Sequence, residues 1–311
     1  MALKSYDLIH GEIDKVQTAI DRLRAFEPPE GYFVAFSGGK DSQCIYHLCE
    51  MAGVKFDAHY SVTSVDPPEL VRFIKQHYPD VSIDIPHYPD GTPMNMWNLI
   101  PRKRMPPTRI VRYCCEKLKE ANGKGRLTVT GVRWAESANH KRSQDVVAIK
   151  QKTKSTLAIV AAEGADAYEN GRGGVNLNMD NADSRRVVEQ CYRTRKTLIN
   201  PIVDWEEEDV WEFLNDVAKV PHCELYDQGF TRLGCIGCPM NTHAASELAA
   251  YPKYRRNYVR AFERMLDARK SAGLPARWET GEEVMEWWLG GSNKREPELE
   301  GQINLFVEDD E

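Results

Sequence analysis

The chain has 311 residues, of which 41% are apolar and 28% are charged, a composition typical of folded globular proteins. Its net charge of −6 gives no overall attraction to nucleic acid, and no apolar run approaches the ~18 residues that a membrane span needs. The first residues lack the apolar segment of a signal peptide, so we expect a cytoplasmic protein without membrane contact. In that compartment, eight cysteines indicate metal binding or catalysis rather than disulfides.

The first predicted elements are an N-terminal helix and an alternating α/β region. Apolar residues at helical spacing over 5–25 predict a helix that fills most of an N-terminal segment, 1–29. Further along, apolar runs predict strands that alternate with helices. The strands are 32–36, 56–62, 81–85 and 127–130, and the helices are 43–49 and 68–77. This alternation predicts an α/β fold with a doubly wound, mostly parallel sheet over residues 30–205.

The remaining segments differ from this pattern. Residues 164–183 are rich in Gly, Asn and Asp, which predicts a long loop or a small hairpin inserted into the α/β domain. Helical patterns at 206–218, 251–272 and 281–289 predict a helical C-terminal part over 206–295, and residues 296–311 form an acidic tail.

A glycine-rich turn joins the first strand of the α/β region to the next helix. It consists of Ser37, Gly38, Gly39, Lys40, Asp41 and Ser42. Glycines let the backbone approach an anion closely, and the amide groups at a helix start point at that anion with the helix dipole behind them. The turn therefore predicts a phosphate site, although the Walker pattern is absent. The alternative is an ordinary strand-to-helix turn with Asp41 or Ser42 as the N-cap.

Four cysteines form two tight pairs. Cys114 and Cys115 are adjacent, and Cys235 and Cys238 form a CxxC unit. Two intervening residues let both thiolates face one ion or cluster, whereas adjacent cysteines are unusual for structural zinc. Taken alone, the two pairs leave a four-thiolate zinc site and an iron–sulfur cluster as alternatives.

The phosphate turn, the tandem cysteine pair and the CxxC unit, in this order, resemble the iron–sulfur members of the phosphoadenosine-phosphosulfate (PAPS) reductase family. That family belongs to the ATP-pyrophosphatase (PP-loop) superfamily, and its fold is an adenine nucleotide alpha hydrolase-like α/β sheet. The similarity covers roughly residues 30–260 and includes the segments 62–69, 130–133, 200–211 and 225–235. It implies a 4Fe–4S cluster on the four paired cysteines, with zinc as the lesser alternative.

The resemblance also implies roles for individual residues, with ATP and Mg²⁺ as ligands. The β- and γ-phosphates would lie against Ser37, Gly38, Gly39 and Ser42. Thr63 and Asp66 would line the adenosine pocket. Lys40 would add positive charge, Asp41 would orient the loop or help to hold Mg²⁺, and Arg133 would stabilise charge at the α-phosphate. Either Arg109 or Arg112 would assist Arg133.

One departure from the family bears on function. Assimilatory reductases of this family use a C-terminal nucleophilic cysteine, and no cysteine follows Cys238 here. The chain is therefore more similar to the ATPases that insert sulfur into the DNA backbone (phosphorothioation) or into tRNA. We expect it to adenylate an acceptor, with release of pyrophosphate, so that a sulfur donor can displace AMP. The alternatives are a sulfonucleotide (APS or PAPS) reductase that uses Cys191 or Cys223, and a non-catalytic nucleotide-binding subunit of a modification or defence complex.

Basic clusters indicate where a nucleic acid would bind. Arg102, Lys103 and Arg104 precede the first cysteine pair, and Arg256 and Arg260 share a helix face after the second pair. The expected partners are DNA or tRNA as acceptor, a cysteine desulfurase as sulfur donor, and a second copy of the chain in a homo-oligomer. The alternative is that these side chains form a solvated surface paired with nearby Glu and Asp residues.

Overall fold

The structure is a computed structural model that describes residues 3–7 and 11–290. The chain divides into two compact units: unit 1 contains Met1–Asn95 and Cys115–Cys235, and unit 2 contains Met96–Cys114 and Ile236–Glu311. The predicted acidic tail, 296–311, lies outside the described residues. No helix in the described ranges has the length and apolar character needed to cross a membrane.

The N-terminal segment differs from its prediction. Strand β1 (Lys4–Asp7) pairs antiparallel with β2 (Gly11–Asp14), and helix α1 (Lys15–Ala25) follows, so the prediction of one helix over 5–25 is wrong. Asp14 sets the start of α1 because its carboxylate accepts the N–H groups of Val16 and Gln17, at 2.9 and 3.0 Å. Such an N-cap satisfies amides that a helix start leaves without partners.

An eight-stranded sheet forms the centre of unit 1. Its strands, in chain order, are β3 (Tyr32–Ala35), β4 (Phe56–Ser61), β5 (Ser82–Asp84), β6 (Thr128–Val129), β7 (Val147–Ile149), β8 (Ala167–Glu169), β9 (Val175–Leu177) and β10 (Thr197–Ile199). The spatial order is β5-β4-β3-β6-β10-β7-β9-β8; the first five strands are parallel, and the last three add antiparallel pairs. The predicted α/β fold with a mostly parallel sheet is confirmed, and residues 164–183 contain the small hairpin β8–β9.

Helices lie on both sides of the sheet, and further helices form unit 2. After α1 they are α2 (Lys40–Ala52), α3 (Pro68–His77), α4 (Met96–Lys103), α5 (Tyr113–Leu118), α6 (Ala138–Ser143), α7 (Lys154–Glu163), α8 (Ala182–Cys191), α9 (Glu207–Glu212), α10 (Ala244–Ala250), α11 (Pro252–Ser271) and α12 (Gly281–Leu289). A 3-10 turn occupies Trp134–Glu136, and a π-helical segment, Phe213–Ala218, continues α9.

The core of unit 1 extends past the predicted domain boundary at residue 205. Trp205 is among its largest fully buried side chains, and Val210, Phe213 and Leu225 belong to the same apolar cluster as the sheet residues. Residues 206–235 therefore belong to unit 1 rather than to a separate helical part, while 96–114 belongs to unit 2. The apolar face of the α9 segment is buried against α2 and the sheet core, which explains the difference.

Unit 2 is built around helix α11. Its buried Tyr258 and Phe262 pack against Trp288 of α12, with ring centroids 4.9 and 5.5 Å apart. The Trp288 indole N–H donates to the carbonyl of Pro107, at 2.6 Å. At Gly281, an added Cβ would lie 2.5 Å from the Val259 carbonyl oxygen, so the glycine permits the close approach of α12 to α11.

The sheet topology fixes where a ligand of unit 1 is expected. Counting outward from β3, the parallel strands run to β4 and β5 on one side and to β6 and β10 on the other. The order therefore reverses between β3 and β6, and doubly wound sheets bind ligands in the crevice at such a switch point. The glycine-rich turn follows β3, and residues 130–133 follow β6, so both lie at this point.

Candidate active site

Two glycines shape the turn between β3 and α2. Gly38 has φ +74°, and a Cβ there would lie 2.7 Å from the Ile74 side chain, so the backbone path requires glycine. Gly39 has an ordinary φ of −77° and is the N-cap of α2 without a side-chain cap. A Cβ on Gly39 would meet no atom closer than the Tyr226 hydroxyl, at 3.4 Å. The alternative in which Asp41 or Ser42 is the N-cap is wrong.

The two serines close the turn on itself. The Ser42 hydroxyl donates to the Gly39 carbonyl at 2.8 Å and accepts the Ser37 N–H at 3.2 Å. The Gln43 N–H is bonded to the Gly39 carbonyl, so the amides of residues 40–42 precede the first full helical bond. The four predicted phosphate-binding residues thus lie in one turn at the positive end of α2.

A buried ion network supports this turn from behind. The Arg133 side chain is 3% exposed; its Nε donates to Asp41 at 2.7 Å and its Nη2 donates to Glu207 at 2.8 Å. Burial alone would lower the pKa of Arg133, but the carboxylates of Asp41 and Glu207 outweigh it, so the pKa is raised and the guanidinium stays charged. Gly131 brings this loop close, because a Cβ there would lie 2.8 Å from the Asp41 carbonyl oxygen.

Lys40 completes the network. Its ammonium lies 3.4 Å from both Asp41 and Glu207 and donates to the Thr231 carbonyl at 3.3 Å. The side chain is only 5% exposed. Two cations and two carboxylates therefore compensate each other behind the turn. Lys40 and Arg133 hold the loop through Asp41, and their contacts fit the predicted loop-orienting role of Asp41.

Two residues of this arrangement are absent from the sequence-based predictions. Glu207 lies in an acidic run at the start of α9, which sequence alone explains by the helix dipole. Tyr226 lies in segment 225–235, where the family resemblance gave no role to single residues. Glu207 could have been found by asking which carboxylates would compensate Arg133 if that arginine were buried, since a buried charge needs partners.

The predicted adenosine-pocket residues form a second polar cluster in unit 1. Asp66 accepts hydrogen bonds from the Tyr60 hydroxyl at 2.7 Å and the Thr63 hydroxyl at 2.6 Å. The Cys235 thiol lies 3.6 Å from the Thr63 hydroxyl and 3.9 Å from the Asp66 carboxylate. Thr63 and Asp66 are both buried, so the cluster connects the loop after β4 to the first cysteine of the CxxC unit.

The paired cysteines fall on both sides of the division between the units. Cys115 and Cys235 belong to unit 1, where both act on Lys119: the Cys235 charge, then Asp66 and Cys115, raise the pKa of this lysine. In unit 2, Gly237 has φ +70° and its N–H donates to Glu247 at 3.0 Å, which holds the CxxC turn. Among the described residues, no group of three or more His, Cys, Asp or Glu side chains is arranged to hold a metal ion. The four-cysteine cluster stays a prediction.

The other four cysteines are buried, and burial is the main reason that the pKa of each thiol is raised. They are Cys44, Cys49, Cys191 and Cys223. Arg195 lowers the pKa of Cys191, but this effect is smaller than that of burial. A thiol with a raised pKa is a poor nucleophile at neutral pH. Neither Cys191 nor Cys223 therefore has the environment of a reactive cysteine.

The sequence profile of the phosphoadenosine phosphosulfate reductase domain matches residues 31–241. The chain belongs to the PAPS reductase family. The matched range contains the phosphate turn, the ion network and all four paired cysteines of this PAPS reductase domain.

Curated relatives of this PAPS reductase-family chain differ in coverage. An uncharacterized protein of Methanocaldococcus jannaschii is 25% identical over 77% of this chain and 47% of its own length. An adenosine 5'-phosphosulfate reductase of Oceanobacillus iheyensis is 29% identical over 29% of this chain and 36% of its own length. A probable FAD synthase of Caenorhabditis briggsae is 21% identical over 74% of this chain and 34% of its own length. The chain thus spans less than half the length of these relatives.

The cysteine arrangement predicts a cluster that can be measured directly. Protein purified without oxygen should contain about four iron and four sulfide per chain, and Cys235→Ser should lose most of both, because thiolates hold such clusters. Cys49→Ala, which removes a buried thiol in α2, should keep the wild-type metal content and serves as the control. Stoichiometric zinc without sulfide would contradict the cluster, and no bound metal would contradict the four-cysteine site.

Proposed function

We propose that this PAPS reductase-family chain binds ATP, as its Mg²⁺ complex, at residues 37–42 and transfers AMP to an acceptor with release of pyrophosphate. The observation that carries the proposal is the turn itself. A glycine N-cap, which supplies no side chain of its own to the helix end, lies at the switch point of a parallel sheet next to the exposed Ser37. This arrangement suits a polyphosphate, which needs backbone amides at close range.

The ion network supports the same proposal. A phosphate loop works best when it does not have to reorganise on binding, because ordering a loop costs conformational entropy. Arg133, which also donates to Glu207 of α9, holds Asp41 from the neighbouring loop. The first turn of α2 is thereby held in place before any ligand arrives.

The relatives support chemistry on a nucleotide, and experiment must decide between adenylation with ATP and reduction of a sulfonucleotide. The relative named as a probable FAD synthase aligns over 74% of this chain, whereas the reductase from Oceanobacillus iheyensis aligns over 29%. The larger share of this chain that aligns with the probable FAD synthase favours a reaction with ATP over reduction of a sulfonucleotide. Cys191 and Cys223 are buried, which makes both thiols poor substitutes for a reductase nucleophile and supports the same proposal. A sulfonucleotide reductase is the second candidate, since relatives carry that name.

Incubation with ATP, Mg²⁺ and the acceptor should yield pyrophosphate and adenylated acceptor in equal amounts, with free AMP released once a sulfur donor displaces it. Gly39→Ala should weaken ATP binding by at least about tenfold, because the methyl group fills space next to the amides that hold phosphate. Stability should be retained, because the φ of Gly39 suits alanine and the nearest atom is 3.4 Å away. Isothermal titration and thermal unfolding measure the two quantities.

The control for this comparison is Gly171→Ala, where a Cβ meets no atom within 4 Å. Unchanged ATP affinity in Gly39→Ala would place the nucleotide elsewhere. Sulfite release from a sulfonucleotide, without pyrophosphate formation from ATP, would establish the reductase alternative. If neither pyrophosphate nor sulfite forms, the remaining alternative is a non-catalytic nucleotide-binding subunit.

The acceptor proposed is a nucleic acid, and charge distribution supports it. The described residues of unit 2, 96–114 and 236–290, contain thirteen Lys and Arg against seven Asp and Glu, although the whole chain has a net charge of −6. On α11, Arg256, Arg260 and Arg264 are exposed at four-residue intervals. Four residues advance a helix by about 6 Å along one face, so these guanidinium groups form a row. A row of this kind suits a phosphate backbone.

Replacing Arg256 and Arg260 together by alanine should weaken binding to DNA or tRNA and reduce the log–log salt slope by roughly 1.4 to 1.8, the contribution of two phosphate contacts. The control is the pair Lys75→Ala and Arg185→Ala, which removes two exposed charges from unit 1. Fluorescence anisotropy at several salt concentrations gives both slopes. Equal slopes for the wild type and the Arg256/Arg260 variant would contradict the proposed surface.

A further inference from the structure

A side chain from a distant part of the chain accepts a hydrogen bond at the N-terminus of α2. Gly39 has no side chain with which to cap the helix, which leaves the first amides without a local partner. The hydroxyl of Tyr226 fills one of these positions, because the Lys40 N–H donates to it at 2.9 Å. The two residues are 186 positions apart, so the fold rather than local sequence places the tyrosine at the phosphate turn.

The position of this hydroxyl is well defined. The Tyr226 ring packs edge-on against Trp211, with centroids 5.0 Å apart, and the Lys40 ammonium lies 5.9 Å from the ring centroid. The tyrosine oxygen lies 3.4 Å from the place that a Cβ of Gly39 would occupy. The hydroxyl therefore borders the turn at which the proposed function places the phosphates.

The hydroxyl proton is available for a ligand. In the part of the chain that the structure describes, the Tyr226 oxygen accepts the Lys40 N–H, and its own O–H finds no acceptor within hydrogen-bonding distance. Burial raises the pKa of Tyr226 well above its usual range, with the Asp41 charge acting in the same direction, so the phenol keeps its proton at neutral pH. A phenol in this state is a hydrogen-bond donor.

We propose that Tyr226 is a phosphate-binding residue: its hydroxyl accepts the Lys40 N–H and donates its proton to a phosphoryl oxygen of the bound nucleotide. This inference rests on the proposed function, since it assumes that phosphate enters the turn at residues 37–42. It adds a side-chain donor to a set that otherwise consists of backbone amides and serines. It also makes the segment around Tyr226 a determinant of affinity for nucleotides that carry a polyphosphate.

The test compares Tyr226→Phe with the wild type for ATP and for adenosine, by isothermal titration. The variant keeps the ring and its contact with Trp211 and removes only the hydroxyl. ATP affinity should fall roughly tenfold, the lower end of what a hydrogen bond to a charged oxygen contributes, whereas adenosine affinity should stay unchanged. A purely structural role would lower the affinities for ATP and adenosine together. The ratio of the two affinities therefore separates an effect on phosphate binding from an effect on folding.

The matched control is Tyr192→Phe, which also loses a hydroxyl hydrogen bond, in this case to Glu30 at 3.0 Å. It should bind ATP and adenosine as the wild type does. Unchanged or tighter ATP binding in Tyr226→Phe would overturn the inference, and so would equal losses for ATP and adenosine. If Gly39→Ala also leaves ATP affinity unchanged, the phosphate turn itself is misassigned; if Gly39→Ala loses affinity and Tyr226→Phe does not, only the role of Tyr226 fails.

Discussion

The arrangement of unit 1 depends on the buried contact between the guanidinium of Arg133 and the carboxylates of Asp41 and Glu207. Moving a charge from water into the protein interior costs several kcal/mol unless partners compensate it. Three segments must therefore meet in one geometry for the arginine to be buried. Those segments are the start of α2, the loop after β6 and the start of α9. Because Arg133 can be buried only when both carboxylates contact it, the contact restricts the shape of the phosphate turn.

Steric constraints act on the same turn from its other sides. Gly38 passes close to Ile74 of α3, and Gly131 passes close to the Asp41 backbone. The ion network and these glycines leave little freedom for residues 37–42, and the helix dipole of α2 is directed at the remaining space. Electrostatics and packing therefore favour one conformation of the turn, which suits the anion site that we propose. Chemistry at such a site would need little loop movement before the reacting groups meet.

Local sequence patterns predicted the elements whose signals are local. Pro68 predicted the start of α3, and the β3–turn–α2 unit followed from its glycines. The N-terminal hairpin was missed because the apolar spacing of 5–25 fits a helix, whereas the cap at Asp14 sets its true start. Glu207 and Tyr226 act across 74 and 186 residues, and pairing at that separation leaves no periodic signal in one sequence. The unit boundary was missed for a similar reason, since the α9 face packs on a core formed far earlier in the chain.

A crystal structure with a non-hydrolysable ATP analogue would show where the nucleotide phosphates bind. We expect phosphate oxygens about 3 Å from the backbone amides at the start of α2, with Arg133 still bonded to Asp41 and Glu207. Phosphates bound away from residues 37–42 would contradict it. So would an Arg133 that leaves both carboxylates to contact the nucleotide, because the network would then be a ligand site rather than the support of the turn.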